Sequence, residues 1–223
     1  TVLVALLFGL GIRALGFDNT QALLLSHPVA ATAVSGTAIY GILLLTVYGY
    51  IVRRRGLGWR ALGFRRPPLL ALLLAPVIVF GQLVAAALMN LLVFNLMGSF
   101  ENPQVEGITG GQSFSWLNFG LMLLLAGVVA PIVEEIFFRG LVYGWLRGRT
   151  PLFVAVLLSA AIFAVAHVVP ILIPALFVVG IILALAYELS GSLWLSILLH
   201  GLQNSLAVTL IFVLLALDLP LNA

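Results

Sequence analysis

Cysteine and lysine are both absent from this chain of 223 residues. Without cysteine there is no disulfide, no thiolate metal ligand and no sulfur nucleophile. Without lysine, all ten basic residues are arginines. Charge of either sign is scarce: Asp, Glu, Lys and Arg make up 8% of the sequence, against about 25% in soluble domains. Apolar residues fill the gap at 63%, where soluble proteins hold roughly 45–50%. That balance excludes an ordinary water-soluble globule and points to one integral membrane domain over 1–223. The formal charge of +3 could suit a nucleic acid, but its placement argues against that partner. Six arginines fall between Arg53 and Arg66, flanked by apolar spans. That is the positive-inside signal of a cytoplasmic loop. No cleavable signal peptide, soluble domain, low-complexity tract or internal repeat is visible.

A bilayer span needs about 20 apolar residues. Seven stretches qualify, near 2–17, 29–52, 68–97, 116–147, 151–168, 171–188 and 192–217. The expected fold is an all-α polytopic transmembrane helix bundle of about seven spans, or eight with a further helix ahead of Thr1. The last three spans are joined by short links, so they are expected to pack as antiparallel neighbours. The loops at 53–66 and 147–150 carry the arginines and are predicted to be cytoplasmic. Loop 98–115 holds Glu101 and Glu106 and no basic residue, which places it on the opposite side. The N-terminus is then inside, the C-terminus outside, and the protein multi-pass in the cell membrane. Segment 116–147 strains this map. As one helix it would measure roughly 48 Å against a hydrocarbon core of about 30 Å. It must break, tilt or project, with Gly127 and Pro131 as the expected bending points.

Inside that segment lie two adjacent acids, in Val133-Glu134-Glu135-Ile136-Phe137-Phe138-Arg139. An ionisable group within a membrane span is costly and marks a functional site unless it is paired. Glu135 and Arg139 are spaced i, i+4 and can pair on one helical face. One arginine neutralises one carboxylate, so Glu134 is left needing a proton, a metal or water. Two of the three histidines fall in the later spans: His167 ends the fifth, and His200 stands in the seventh with Asn204 at i+4. His27, before Pro28, reads as a solvent-facing loop residue. Each polar residue alone fits a bland role as helix glue or a buried ion network. Together, two carboxylates, two imidazoles and a carboxamide from three helices suit water activation and oxyanion stabilisation. The same Glu134, His167 and His200 could hold a zinc-like divalent ion with a position open for water. The spacing is not HExxH, so the common soluble zinc-protease signature is absent.

Three patterns occur in order on successive spans: Glu134-Glu135 to Arg139, Phe163 to His167, and His200 to Asn204. Read as E-E-x-x-x-R, F-x-x-x-H and H-x-x-x-N, they resemble the CAAX-protease and bacteriocin-processing family of intramembrane endopeptidases, also called the abortive-infection family. Ser190-Gly191-Ser192-Leu193-Trp194 and Arg60-Ala61-Leu62-Gly63-Phe64-Arg65-Arg66-Pro67 are similar to that family as well. The strong likeness covers about 131–204, within a motif-bearing core of 116–217. The resemblance implies hydrolysis of a peptide bond of a membrane-associated or lipidated substrate. It implies that Glu134 activates water with help from His167, that His200 and Asn204 stabilise the oxyanion, and that Glu135 and Arg139 support the site. Members are described both as metal-dependent and as metal-free glutamate proteases.

Two other readings belong beside it. One is a non-catalytic scaffold or immunity-type subunit of a larger membrane complex that keeps the fold. The other is a transporter using Glu134, Glu135 and Arg139 as a proton relay, against which stands the lack of inverted repeats or paired broken helices.

Overall fold

The computed structural model describes residues 28–98, 105, 108, 109 and 114–219. The candidate span 2–17, His27, Glu101 and Glu106 lie outside the described residues. Helix α1 runs Pro28–Val47 and continues as widened π turns over Tyr48–Arg54. A short 3-10 turn, Trp59–Leu62, follows. Helix α2 is Leu69–Met97, and α3 is one helix from Trp116 to Arg147. Helix α4 is Leu152–Ala166, α5 is Ile173–Ser190, and α6 is Leu193–Ala216. No strand occurs among the described residues. The all-α bundle expected from composition is what forms.

Prolines and small polar residues set the boundaries. Pro68 and Pro151 stand immediately before α2 and α4, and Pro174 lies in the first turn of α5, where a missing N–H removes nothing from the helix. Ser115 caps α3 by accepting the Asn118 N–H, and Ser192 caps α6 by accepting the Leu195 N–H. Among the described residues, five helices are long and apolar enough to cross a bilayer. The stretch expected at 151–168 is the exception. Its helix has 15 residues, about 22 Å at 1.5 Å per residue, and it stops at His167, short of a full span.

The long third helix does not break at Gly127 or Pro131. It widens instead, into π turns at Leu125–Val129 and Ile136–Tyr143. In that register an N–H reaches the carbonyl five residues back, as Ala130 does to Leu125. The next such bond would run from position 131 to Ala126, and Pro131 has no N–H to give. The orphaned Ala126 carbonyl accepts instead from the Asn204 side chain of α6, at 3.0 Å.

Polar contacts gather the loops at one end of the bundle. Arg147 and Tyr143 both donate to Glu188, at 3.0 and 2.7 Å. Ser192 Oγ donates to the Arg65 carbonyl, and the Leu193 N–H donates to that of Gly63. The loops at 53–66 and 147–150 therefore share one end, as their arginines led us to expect. Gly63 is required here. Its φ is +84°, and a Cβ would meet the Tyr187 ring at 2.7 Å. Away from these ends the outer surface is apolar: Leu69, Leu73, Val77, Phe80 and Leu88 are all exposed on α2. In water so continuous a patch would be a liability; against acyl chains it is an ordinary surface.

Candidate active site

The α-helical piece Ala130–Glu135 presents the two acids, and the π turn after it carries Arg139. Adjacent residues on a helix point about 100° apart, so the two glutamates enter different environments. Glu135 is fully buried and held on every side. Arg139 Nη1 donates to its Oε1 at 2.8 Å, Ser196 Oγ to its Oε2 at 2.5 Å, and His200 Nδ1 approaches Oε1 at 2.8 Å. Arg139, 1% exposed, also donates to the Gly180 carbonyl and lies over the Phe163 ring, 4.5 Å from its centroid. A buried ion pair with these extra hydrogen bonds offsets its own desolvation.

Glu134 faces the other way. Its Oε2 is 3.9 Å from Nε2 of both His167 and His200. That oxygen is buried and has no hydrogen-bond partner. Each histidine is fixed from behind. His167 Nδ1 lies 2.8 Å from the Phe163 carbonyl and His200 Nδ1 2.8 Å from Glu135. Both of those partners are acceptors only, which assigns the proton of each neutral ring to Nδ1. The two Nε2 atoms then present lone pairs toward an unpaired carboxylate oxygen. Three acceptors around one small space call for a guest that brings hydrogens or positive charge.

Water supplies both hydrogens and a nucleophilic oxygen. A metal ion suits the space less well. A tetrahedral zinc with bonds of about 2.0–2.1 Å holds its ligand atoms roughly 3.4 Å apart. Here the separations are 3.9 Å. Among the described residues no three His, Cys, Asp or Glu side chains are grouped as a metal's ligands must be. The set Glu134, His167 and His200 does not fit a zinc as it stands, and no step below passes through one.

Six polar residues were expected from sequence, and five form this cluster: Glu134, Glu135, Arg139, His167 and His200. Asn204 is one turn further along α6 and bonds the Ala126 carbonyl. The motif phenylalanine has a concrete place. The Phe163 carbonyl holds His167 and its ring stands edge-on to both histidines, with centroids 4.7 and 5.7 Å away. Two contributors were not foreseen. Tyr40 of α1 reaches Glu134 Oε1 with a long hydroxyl contact of 3.5 Å, and Ser196 bonds Glu135. Ser196 precedes His200 by one turn, a spacing that could have been noticed. Nothing local marks Tyr40.

Comparisons with known proteins agree with the motifs. Residues 116–206 match the family of Type II CAAX prenyl endopeptidase Rce1-like proteins. The chain is 32% identical over 88 residues to a putative membrane peptidase of Bacillus subtilis, YdiL. It is 34% identical over 94 residues to the membrane-embedded CAAX protease MroQ of Staphylococcus aureus. Each alignment takes in 40% of this chain. It spans 36% of the first relative and 38% of the second. No solved structure matches the chain.

Proposed function

We propose that this chain, whose residues 116–206 match the Rce1-like CAAX endopeptidase family, hydrolyses a peptide bond of a membrane-associated or lipidated substrate. The observation that carries the proposal is the unpartnered Glu134 Oε2 between two imidazole Nε2 atoms at 3.9 Å. A water in that space gives one proton to Glu134 and turns its oxygen on the scissile carbonyl carbon, while His167 Nε2 accepts its second hydrogen and orients it. The C–O bond forms as the carbonyl π pair moves onto oxygen. In the reacting state His200 carries a proton taken from solvent on Nε2 beside the one on Nδ1; it donates that hydrogen to the oxyanion and keeps the proton through the cycle, and the remaining amide hydrogen of Asn204 donates as well. Collapse breaks the C–N bond, and Glu134 returns its proton to the leaving amine. Glu135 and Arg139 hold His200 and the helix in place. The second hydrogen of the water passes by way of His167 to the amine, so the reaction consumes one water and leaves a carboxylate and an ammonium group.

On this reading the protein resides in the cell membrane, with the arginine loops at 53–66 and 147–150 cytoplasmic. The substrate enters laterally from the bilayer, whose lipids are the first partner. Reconstituted protein given a peptide with a farnesylated cysteine near its C-terminus, in 18O-labelled water, should release a fragment carrying one 18O in its new carboxylate. A chelator should leave the rate unchanged. If no fragment forms under any condition, and Glu134→Ala has no phenotype in a cell that depends on the protein, the scaffold reading replaces this one.

A further inference from the structure

Glu134 Oε2 is one of five buried side-chain atoms without a hydrogen-bond partner among the described residues. The other four are all carboxamide atoms: both polar atoms of Gln82, and one oxygen each of Asn90 and Gln203. Gln82 is the sharpest case. Its side chain is 0% exposed, one turn beyond Val79, which packs with Ala75 in an apolar cluster with α5 and α6. A buried amide with neither end paired is costly, and leucine there would be better for stability alone.

The topology brings two of these carboxamides to one depth. Helices α2 and α6 start at the same end, where Ser192 bonds Arg65, and run in the same direction. Ala75 and Val79 of α2 pack in one cluster with Leu195 and Leu199 of α6. Gln82 follows Val79 by three residues and Gln203 follows Leu199 by four, so each is about one turn, roughly 5 Å, beyond the shared contact. His200 is the neighbour of Leu199 on the same turn. The Pro170–Leu172 turn, three residues after His167, touches α2 as well. Gln82 therefore lies on the helix packed against α6, the helix of His200, and against the turn that follows His167.

We infer that Gln82 and Gln203 form a main-chain-binding subsite beside the Glu134 group, taking a peptide unit next to the bond to be cut. A carboxamide presents an acceptor and a donor side by side, the complement of a peptide C=O and N–H. Inside a bilayer such a unit has no water to satisfy it and must find partners in the protein. The buried Gln82 carboxamide, unpaired at both ends, and the buried unpaired Oε1 of the half-buried Gln203 on the adjoining helix supply them without regard to side-chain identity. The subsite positions substrate; it takes no part in proton transfer. The inference rests on the peptidase reading given above.

The test uses a quenched-fluorescent peptide with a farnesylated cysteine, cut in micelles, and its binding by anisotropy to the Glu134→Gln protein. Gln82→Met keeps the volume and removes both hydrogen-bonding ends. KM should rise about tenfold with kcat within about twofold, as expected when a bond common to ground and transition states is lost. Affinity for Glu134→Gln/Gln82→Met should fall by the same factor, and the unfolding temperature should hold or rise. Gln203→Met should act in the same direction, so a folding defect at one position leaves the other to decide. Unchanged KM and affinity in both variants overturn the subsite, as does failure of the peptide to bind Glu134→Gln at all. A lower unfolding temperature with unchanged KM assigns Gln82 to the scaffold through a buried water. If the parent binds the peptide without cutting it, the peptidase reading fails while the binding comparison still judges Gln82.

Discussion

Arg139 offers one positive charge to two neighbouring acids, and the geometry gives it to Glu135. Its guanidinium is 2.8 Å from Glu135 Oε1 and capped by the Phe163 ring. Arg139→Met would strand a fully buried carboxylate, which costs about 3–5 kcal/mol when one partner of a buried pair is removed. Thermal unfolding in micelles should show that loss, and a change below about 1 kcal/mol would mean Glu135 is held well enough by Ser196 and His200 alone. The i, i+4 spacing made this pair legible in the sequence, and the surplus charge on Glu134 followed from counting. The second task of Glu135 was not legible. It fixes His200 from behind, through a contact spanning 65 residues. Tyr40 reaches Glu134 across 94. A tyrosine in an apolar helix carries no local mark of such a role, because only tertiary packing chooses its partner. Asn204 was read as part of the reacting group, and its observed bond has a structural cause, the carbonyl that Pro131 leaves unpaired.

At the scale of elements, α3 accommodates proline by widening. The helix interface there is tight: a Cβ at Gly201 would lie 2.8 Å from the Gly127 carbonyl. Backbone cannot yield as a flexible side chain does, so Gly201→Ala should destabilise by about 1–3 kcal/mol, the usual cost of overpacking. Val168 offers the opposite sign. It follows His167 with φ at +56°, a left-handed conformation that a β-branched residue adopts only under strain. Val168→Gly should raise stability by about 1 kcal/mol, as glycine relieves a left-handed helix end. Unfolding midpoints of the two variants should move in opposite directions, and movement in the same direction would contradict the packing described. Helix existence was readable from apolar runs and prolines. The π turns were not, since a 3.6-residue period and a locally widened one look alike in an all-apolar stretch.

For the whole molecule, scarcity of charge was enough to foretell an all-α membrane bundle, because only helices and closed barrels satisfy their own backbone in lipid. Arginine placement foretold which loops share an end. The cysteine-free sequence makes sidedness easy to check. Gly58→Cys and Gly148→Cys, both exposed, should react with a membrane-impermeant maleimide only in inside-out vesicles. Labelling from opposite sides would break the topology. What the bundle accomplishes is to bring α1, α3, α4 and α6 together around the Glu134 carboxylate, with Tyr40 at Oε1 and the two histidines at the unpartnered Oε2. The reaction proposed depends on that Oε2 accepting a proton. The most direct test is the cleavage rate of Glu134→Gln in liposomes, since the amide keeps the shape and loses the base. A drop of about a thousandfold or more, with an unfolding temperature unchanged, is the expected result. A rate equal to that of the parent would contradict the assignment of Glu134.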